Sequence, residues 1–210
     1  YWFVHRGDLQ QVLLSALRQR APQALHVGLG VQAVLESGEH MQVTLSNGQT
    51  VRASVVLACD GVHSRLRSAV VPHDPVQFTG LMAWRGLVPM ARLPDHLRVS
   101  QAHAIGTNWV GPGGHVITYP LRRAELMNVV GILERDDWRH ESWNQTGSHE
   151  ELLADFAGWH EDVQALMRSI EQPYKWALLG RQPLSAYAHG RLALMGDAAH
   201  PTLQIGRAHV

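Results

Sequence analysis

Apolar residues at Leu9, Val12, Leu13, Ala16 and Leu17 recur with a helical period, behind Asp8 as a candidate N-cap and ahead of Pro22 as a stop. Alternation then takes over. LHVGLGVQAVLES (25–37) and MQVTLSNGQTVRA (41–53) read as strands. Within the second, Ser46-Asn47-Gly48 marks a tight hairpin, because Asn-Gly tolerates the positive φ angles of a type I′ turn. Ser54 to Ala58 is a short apolar run of the kind buried on both faces of a sheet; it stops at Cys59-Asp60-Gly61, and a helix is expected from about Ser64. From about Val76 the chain turns rich in β-branched and aromatic residues, and FTGLMAWRGLVP, HVITYPL and ELMNVVGILE predict strands. Ser148 and Glu151 stand at capping-box spacing. After them, Leu152, Leu153, Phe156, Val163, Leu166, Met167 and Ile170 form the apolar face of two consecutive helices, read as core. GRLALMGDAAHP (190–201) then returns to the pattern of residues 54–61: a buried strand and a glycine-aspartate turn, here followed by small residues.

Composition narrows the classes. With 210 residues and 45% hydrophobic content the chain can bury a sizeable core. Lys+Arg and Asp+Glu both number 18, so bulk charge points to neither a nucleic-acid nor a membrane partner. No apolar run approaches the roughly 20 residues of a membrane span. The start, YWFVHRGDL, has no signal-peptide order. A single cysteine, Cys59, forms no internal disulfide and favours a reducing, cytoplasmic setting. The fourteen histidines are scattered without zinc-site spacing, so no metal is expected; His149 and His160 read as solvated helix residues.

Two features suggest chemistry. A strand that ends in Asp-Gly and leads to a helix can offer backbone N–H groups to a phosphate-bearing ligand, although a plain turn has the same look. In GGHVITYP, strand alternation places His115, Ile117 and Tyr119 on one face. A histidine, an apolar residue and a tyrosine on one face can line a ligand; an exposed histidine beside a core tyrosine has the same pattern. Trp84 reads as core, and Arg85 has no assignable partner in the sequence.

Taken in this order, ACDGVHSRLR (58–67) and GRLALMGDAAHP resemble the DGxxSxxR and GD elements of the FAD-dependent aromatic hydroxylases. These are single-component flavoprotein monooxygenases, including p-hydroxybenzoate, salicylate and 3-hydroxybenzoate hydroxylases. HRGDLQQVL (5–13) is similar to their flavin-contacting Arg segment, and TGLMAWRGLVP, GPGGHVITYPLR and YKWALLGRQPL resemble the salicylate and 3-hydroxybenzoate branch. The family's GxGxxG fingerprint has no counterpart. An internal piece of a longer enzyme is therefore expected, with residues 205–210, which can be read as translated adapter sequence, as a non-native tail.

The resemblance implies an α/β fold. Part of a Rossmann-like FAD-binding domain of glutathione-reductase type (1–75 and 184–204) is interrupted by a mixed β-sheet substrate domain with helices (76–183). It implies cofactor contacts at Arg6, Asp60, Gly61, Arg67, Gly196, Asp197, Ala198 and Pro201. Asp197 would accept a hydrogen bond from a ribityl hydroxyl, with a helix N-cap as its other reading; Arg67 would serve the pyrophosphate region, or pair with Asp60 or another carboxylate. His115 and Tyr119 match the substrate pocket of the 3-hydroxybenzoate and hydroxynicotinate branch and are the catalytic candidates. The implied reaction is hydroxylation of a small phenolic acid through a flavin C4a-hydroperoxide, with FAD, NADH or NADPH, and O2. The first choice is 3-hydroxybenzoate to gentisate; salicylate, an N-heteroaromatic acid or a polyketide are alternatives. A homodimer is the assembly to test, and an inactive nucleotide-binding fragment is the alternative of another class.

Overall fold

The computed structural model describes residues 2–71, 74–103, 106–135 and 144–201. The chain divides into two compact units. One comprises Ser15–Phe78 with the segment from Leu179; the other comprises Thr79–Leu178 with the residues up to Leu14. The expected boundaries at 75/76 and 183/184 thus stand beside observed ones at 78/79 and 178/179.

Helix α1 spans Arg6–Arg20 and stops just ahead of Pro22. One expectation for it fails. Asp8 is not its N-cap: it lies inside the first turn, and its carboxylate takes two hydrogen bonds from Arg122, at 2.7 and 2.8 Å. The helix also buries none of its residues, and Leu9, Val12, Leu13 and Leu17 are exposed.

In the first unit, β1 (Val31–Ser37), β2 (His40–Leu45) and β3 (Thr50–Ala53) form an antiparallel meander. The turn after β2 is not type I′. The Leu45 carbonyl accepts from the Gly48 N–H, Leu45 N–H donates to the Gln49 carbonyl, and positive φ falls on Gly48 (82°) but not on Asn47. This is a three-residue loop closed by a glycine bulge, and Asn47 bonds Gln49 with its amide instead of turning left-handed.

Strand β4 (Val56–Ala58) follows, and its sequence pattern misled. Ala58 is buried, but Val55 and Leu57 are exposed, so the run is not covered on both faces among the described residues. The helix expected from about Ser64 is present as a single short turn rather than an α-helix. A short 3-10 helix occupies Leu66–Ala69.

The second unit is built on a six-stranded sheet. Its strands are β5 (Gln77–Pro89), β6 (Thr107–Gly111), β7 (Gly114–Leu121), β8 (Leu126–Glu134), β9 (Asn144–Thr146) and β10 (Tyr174–Gly180), in the order β6-β7-β8-β5-β10-β9. The β5–β8, β6–β7, β7–β8 and β9–β10 pairs are antiparallel. Helices α2 (Asp95–Gln101), α3 (His149–Asp155) and α4 (Glu161–Arg168) cover one face. The core there joins Trp84, Val116 and Val129 from the strands to Phe156, Leu166 and Met167. Trp84 is fully buried, as its strand position suggested, and its indole N–H donates to Asp155 at 2.7 Å.

Ser148 caps α3 by accepting from the Glu151 N–H. The reciprocal half of the box is absent, since the Glu151 carboxylate pairs with Lys175. His160 does more than face solvent: its Nδ1 accepts from the Asp162 N–H and caps α4.

The chain then returns to the first unit through β11 (Ala188–His189) and β12 (Leu192–Leu194). Strand β12 pairs parallel with β4, in register Leu192–Val56 to Leu194–Ala58. No helix of the described residues is long and apolar enough to cross a membrane.

Candidate functional site

The parallel pairing of β4 and β12 has a direct geometric result. Both strands end at the same edge, so the Asp60-Gly61 and Gly196-Asp197 turns emerge side by side. The Met195 N–H donates to the Ala58 carbonyl at 2.9 Å and carries the ladder to that edge. The carboxyl ends of parallel strands are where open α/β sheets bind ligands.

Each turn is wired locally. One Asp60 carboxylate oxygen accepts from the Arg65 N–H at 3.0 Å, and Ser64 Oγ accepts from the Arg67 N–H at 3.1 Å. Gly61 and Gly196 have φ of 82° and 57°, and a side chain at either would meet nothing within 4 Å. Glycine is required there by the backbone, and the space beside it is open to a ligand. Asp197 lies in the 3-10 turn Gly196–Ala198, exposed, with no hydrogen-bond partner for its carboxylate among the described residues. Among the described residues it caps no helix; the residue before that turn is Met195. Ala198 is fully buried and packs inward, and Pro201 is half-buried.

Arg67 differs from its sequence reading. It is 2% exposed. It does not pair with Asp60: Nε donates to Asp74, and Nη1 donates to the carbonyls of Ala198 and Ala199 at 2.5 and 2.6 Å. Its Nη2 is buried with no hydrogen-bond partner among the described residues. Arg67 thus lies beneath the turns, and sequence inspection did not single out its carboxylate partner.

The second cluster belongs to the sheet unit. Strand register sets His115 opposite Ile132, Ile117 opposite Val130 and Tyr119 opposite Asn128. The next strand sets Ala83, Arg85 and Leu87 opposite Ile132, Val130 and Asn128. Directly paired residues share a face, so Arg85 stands on the face of His115, Ile117 and Tyr119, two strands or about 10 Å away. The opposite face, carrying Val116 and Thr118, packs on the helices. Phe3 stacks on Tyr119, with ring centroids 4.6 Å apart and planes at 12°.

Burial holds the His115 imidazole below its ordinary pKa, so it is neutral at neutral pH. Burial likewise lowers the Arg85 pKa, and the guanidinium stands 5.1 Å from the centre of the Trp176 ring. The Tyr119 hydroxyl favours the Arg85 charge and Arg6 opposes it. Arg6, expected at the flavin, therefore lies close enough to Arg85 to repel it. Arg85 was missed as a site residue because its face is fixed by the β5–β8 register, which the sequence does not print. Asn128 Nδ2, on the same face, is buried without a hydrogen-bond partner among the described residues.

The two clusters fit the groups the sequence suggested. One offers open glycine turns and an exposed carboxylate, suited to a nucleotide-bearing cofactor. The other offers a histidine with a lowered pKa, an aromatic stack and a half-buried guanidinium, suited to an aromatic anion.

Known proteins resemble this chain over nearly its whole length. A family described as FAD binding domain matches residues 3–206. The chain is 34% identical over 201 residues to a 3-amino-4-hydroxybenzoate 2-monooxygenase of Streptomyces platensis, covering 96% of the chain and 49% of that protein. It is 32% identical to a salicylate hydroxylase of Pseudomonas putida, covering 95% of the chain and 49% of the relative. A solved salicylate hydroxylase in complex with substrate superposes with a TM-score of 0.77 at 31% identity, over 94% of this chain and 51% of that one. The chain spans about half the length of the relatives it matches.

Proposed function

We propose, from the premise that the chain belongs to the FAD-binding family of aromatic hydroxylases, that the full protein hydroxylates a ring bearing both a phenol and a carboxylate. The observation that carries this reading is the sheet face where His115, Ile117, Tyr119 and Arg85 meet. A neutral His115 accepts the phenol proton and leaves the ring electron-rich as phenolate. Ile117 and the Phe3–Tyr119 stack offer apolar surface to the ring. Arg85, half-buried beside Tyr119 and repelled by Arg6, gains from an anion, and a carboxylate matches its fork of donors.

The oxidation itself, with hydride from NADH or NADPH and oxygen from O2, is the chemistry FAD supplies when bound. The two Asp-Gly turns would hold it. Gly61 and Gly196 allow close backbone approach, and Asp197 accepts a hydrogen bond from a cofactor hydroxyl. The sequence resemblance favours 3-hydroxybenzoate with gentisate as product. Salicylate, which the Pseudomonas relative is named for, is the alternative.

The test is NADH or NADPH oxidation by the purified, flavin-loaded full protein, with and without each acid, and identification of the product. Stimulation with gentisate or catechol formed supports the reading and fixes the substrate. Oxidation that neither acid stimulates, with no hydroxylated product, rejects a phenolic acid as substrate.

A further inference from the structure

Beneath the two glycine turns lies a cluster that the cofactor contacts do not account for. Arg67 and Arg181 both reach one carboxylate, Asp74. Their side chains are 2%, 9% and 7% exposed, so all three groups are withdrawn from water. Arg181 donates from Nε and Nη2 to the Val62 carbonyl, at 3.2 and 2.7 Å, and from Nη1 to the Asp74 carbonyl. Arg67 donates from Nη1 to the carbonyls of Ala198 and Ala199. Val62 follows Gly61 directly; Ala198 and Ala199 follow Asp197 directly. Each arginine therefore grips the backbone of one turn, and a single carboxylate holds the two arginines together.

We infer that Asp74 is a positioning residue for the cofactor cradle, acting through Arg67 and Arg181 to fix the spacing of the two Asp-Gly turns. This rests on the FAD reading of those turns. The electrostatics require the carboxylate. Two buried guanidiniums without a counter-charge repel each other and lose the hydration they gave up on folding. With Asp74 present they can sit side by side, and the cluster still carries one net positive charge behind the turns, which favours an anionic group such as a diphosphate in front of them. Without it, one arginine has to swing out to water, and the turn it grips loses its anchor. Asp74 needs no contact with the cofactor for this.

The experiment uses the full protein in its wild-type form and as Asp74→Asn, Arg181→Lys and Leu166→Ala. Arg181→Lys keeps the charge but loses the paired bonds to Val62. Leu166, fully buried in the sheet unit's core, provides a variant destabilised without touching the cluster. Flavin affinity is read by fluorescence quenching on reconstitution of the apoprotein, and kcat and KM for the aromatic acid are read at saturating FAD. Asp74→Asn and Arg181→Lys are expected to weaken FAD binding about tenfold or more, with KM for the acid unchanged and kcat restored at saturating flavin. Leu166→Ala is expected to lower the melting temperature and leave FAD affinity alone. Should Asp74→Asn not fold, Arg181→Lys decides the matter by the same readout. Wild-type FAD affinity in whichever cluster variant folds overturns the inference, and so does an equal loss in Leu166→Ala. A wild-type protein that binds no FAD instead overturns the cofactor reading itself.

Discussion

Replacing Gly131 by alanine tests how tightly the helix layer packs on the six-stranded sheet. Gly131 lies in the middle of β8, paired with Trp84 on one side and Val116 on the other. A methyl added there would sit 3.0 Å from Phe156 Cε2 and 3.1 Å from Met167 Cε, and closer still to Phe156 Cζ, where ordinary contacts begin at 3.4 Å. Met167 is flexible and gives way cheaply. Phe156 is not, because it is fully buried and meets Trp159 edge-on at 5.5 Å. Overpacking of this kind costs about 1–3 kcal/mol, and restricting the unfolded chain returns about 0.4–1 kcal/mol. The net loss is about 1–2 kcal/mol, and at roughly 4–8 °C per kcal/mol for a unit of this size the melting temperature falls by roughly 4–16 °C. Thermal unfolding followed by tryptophan fluorescence reads it, since Trp84, Trp109 and Trp159 all belong to this core. Gly131→Ala combined with Phe156→Leu is expected to recover part of the loss. A single variant as stable as wild type, or more so, refutes the packing argument.

Other expectations follow from the same structure. His115 has a lowered folded pKa, so the unfolded chain takes up its proton first; stability falls as pH drops below about 6.5, and pH-dependent unfolding of wild type against His115→Asn measures it. In the full enzyme the acidic limb of kcat/KM is expected below that pH and is removed in His115→Asn; an unchanged limb takes His115 out of the proton transfer. Arg85→Gln is expected to raise KM for the aromatic acid by about 10–100-fold, with FAD affinity unchanged, and an unchanged KM places the carboxylate elsewhere. Ser148→Ala removes the α3 cap and is expected to cost about 1 kcal/mol, read by urea denaturation.

Local rules made part of this legible. Ser148 caps where its spacing said, because a cap depends on residues three apart. The parity of His115, Ile117 and Tyr119 held because alternation needs no knowledge of neighbours. What escaped depends on pairing across long separations. Arg85 belongs with those residues only through the registers of β5, β8 and β7. Asp74, which stands in no motif the sequence shows, acquires its meaning from Arg181, 107 positions away. The hairpin at Asn47-Gly48 formed as its sequence said, and only its turn type differs: the asparagine amide bonds Gln49 and Gly48 alone takes the positive φ.

The parallel pairing of β4 with β12 also orders events in time. Arg67 and the Ala199 carbonyl it binds are 132 positions apart, with all six strands of the larger sheet between them. Closing so long a loop in an open chain is slow, and the cost falls once the intervening segment has compacted. The cradle is therefore the last part of its unit to close. A refolding chain is expected to bury the tryptophans of the sheet core before the two turns come together, which stopped-flow tryptophan fluorescence can follow.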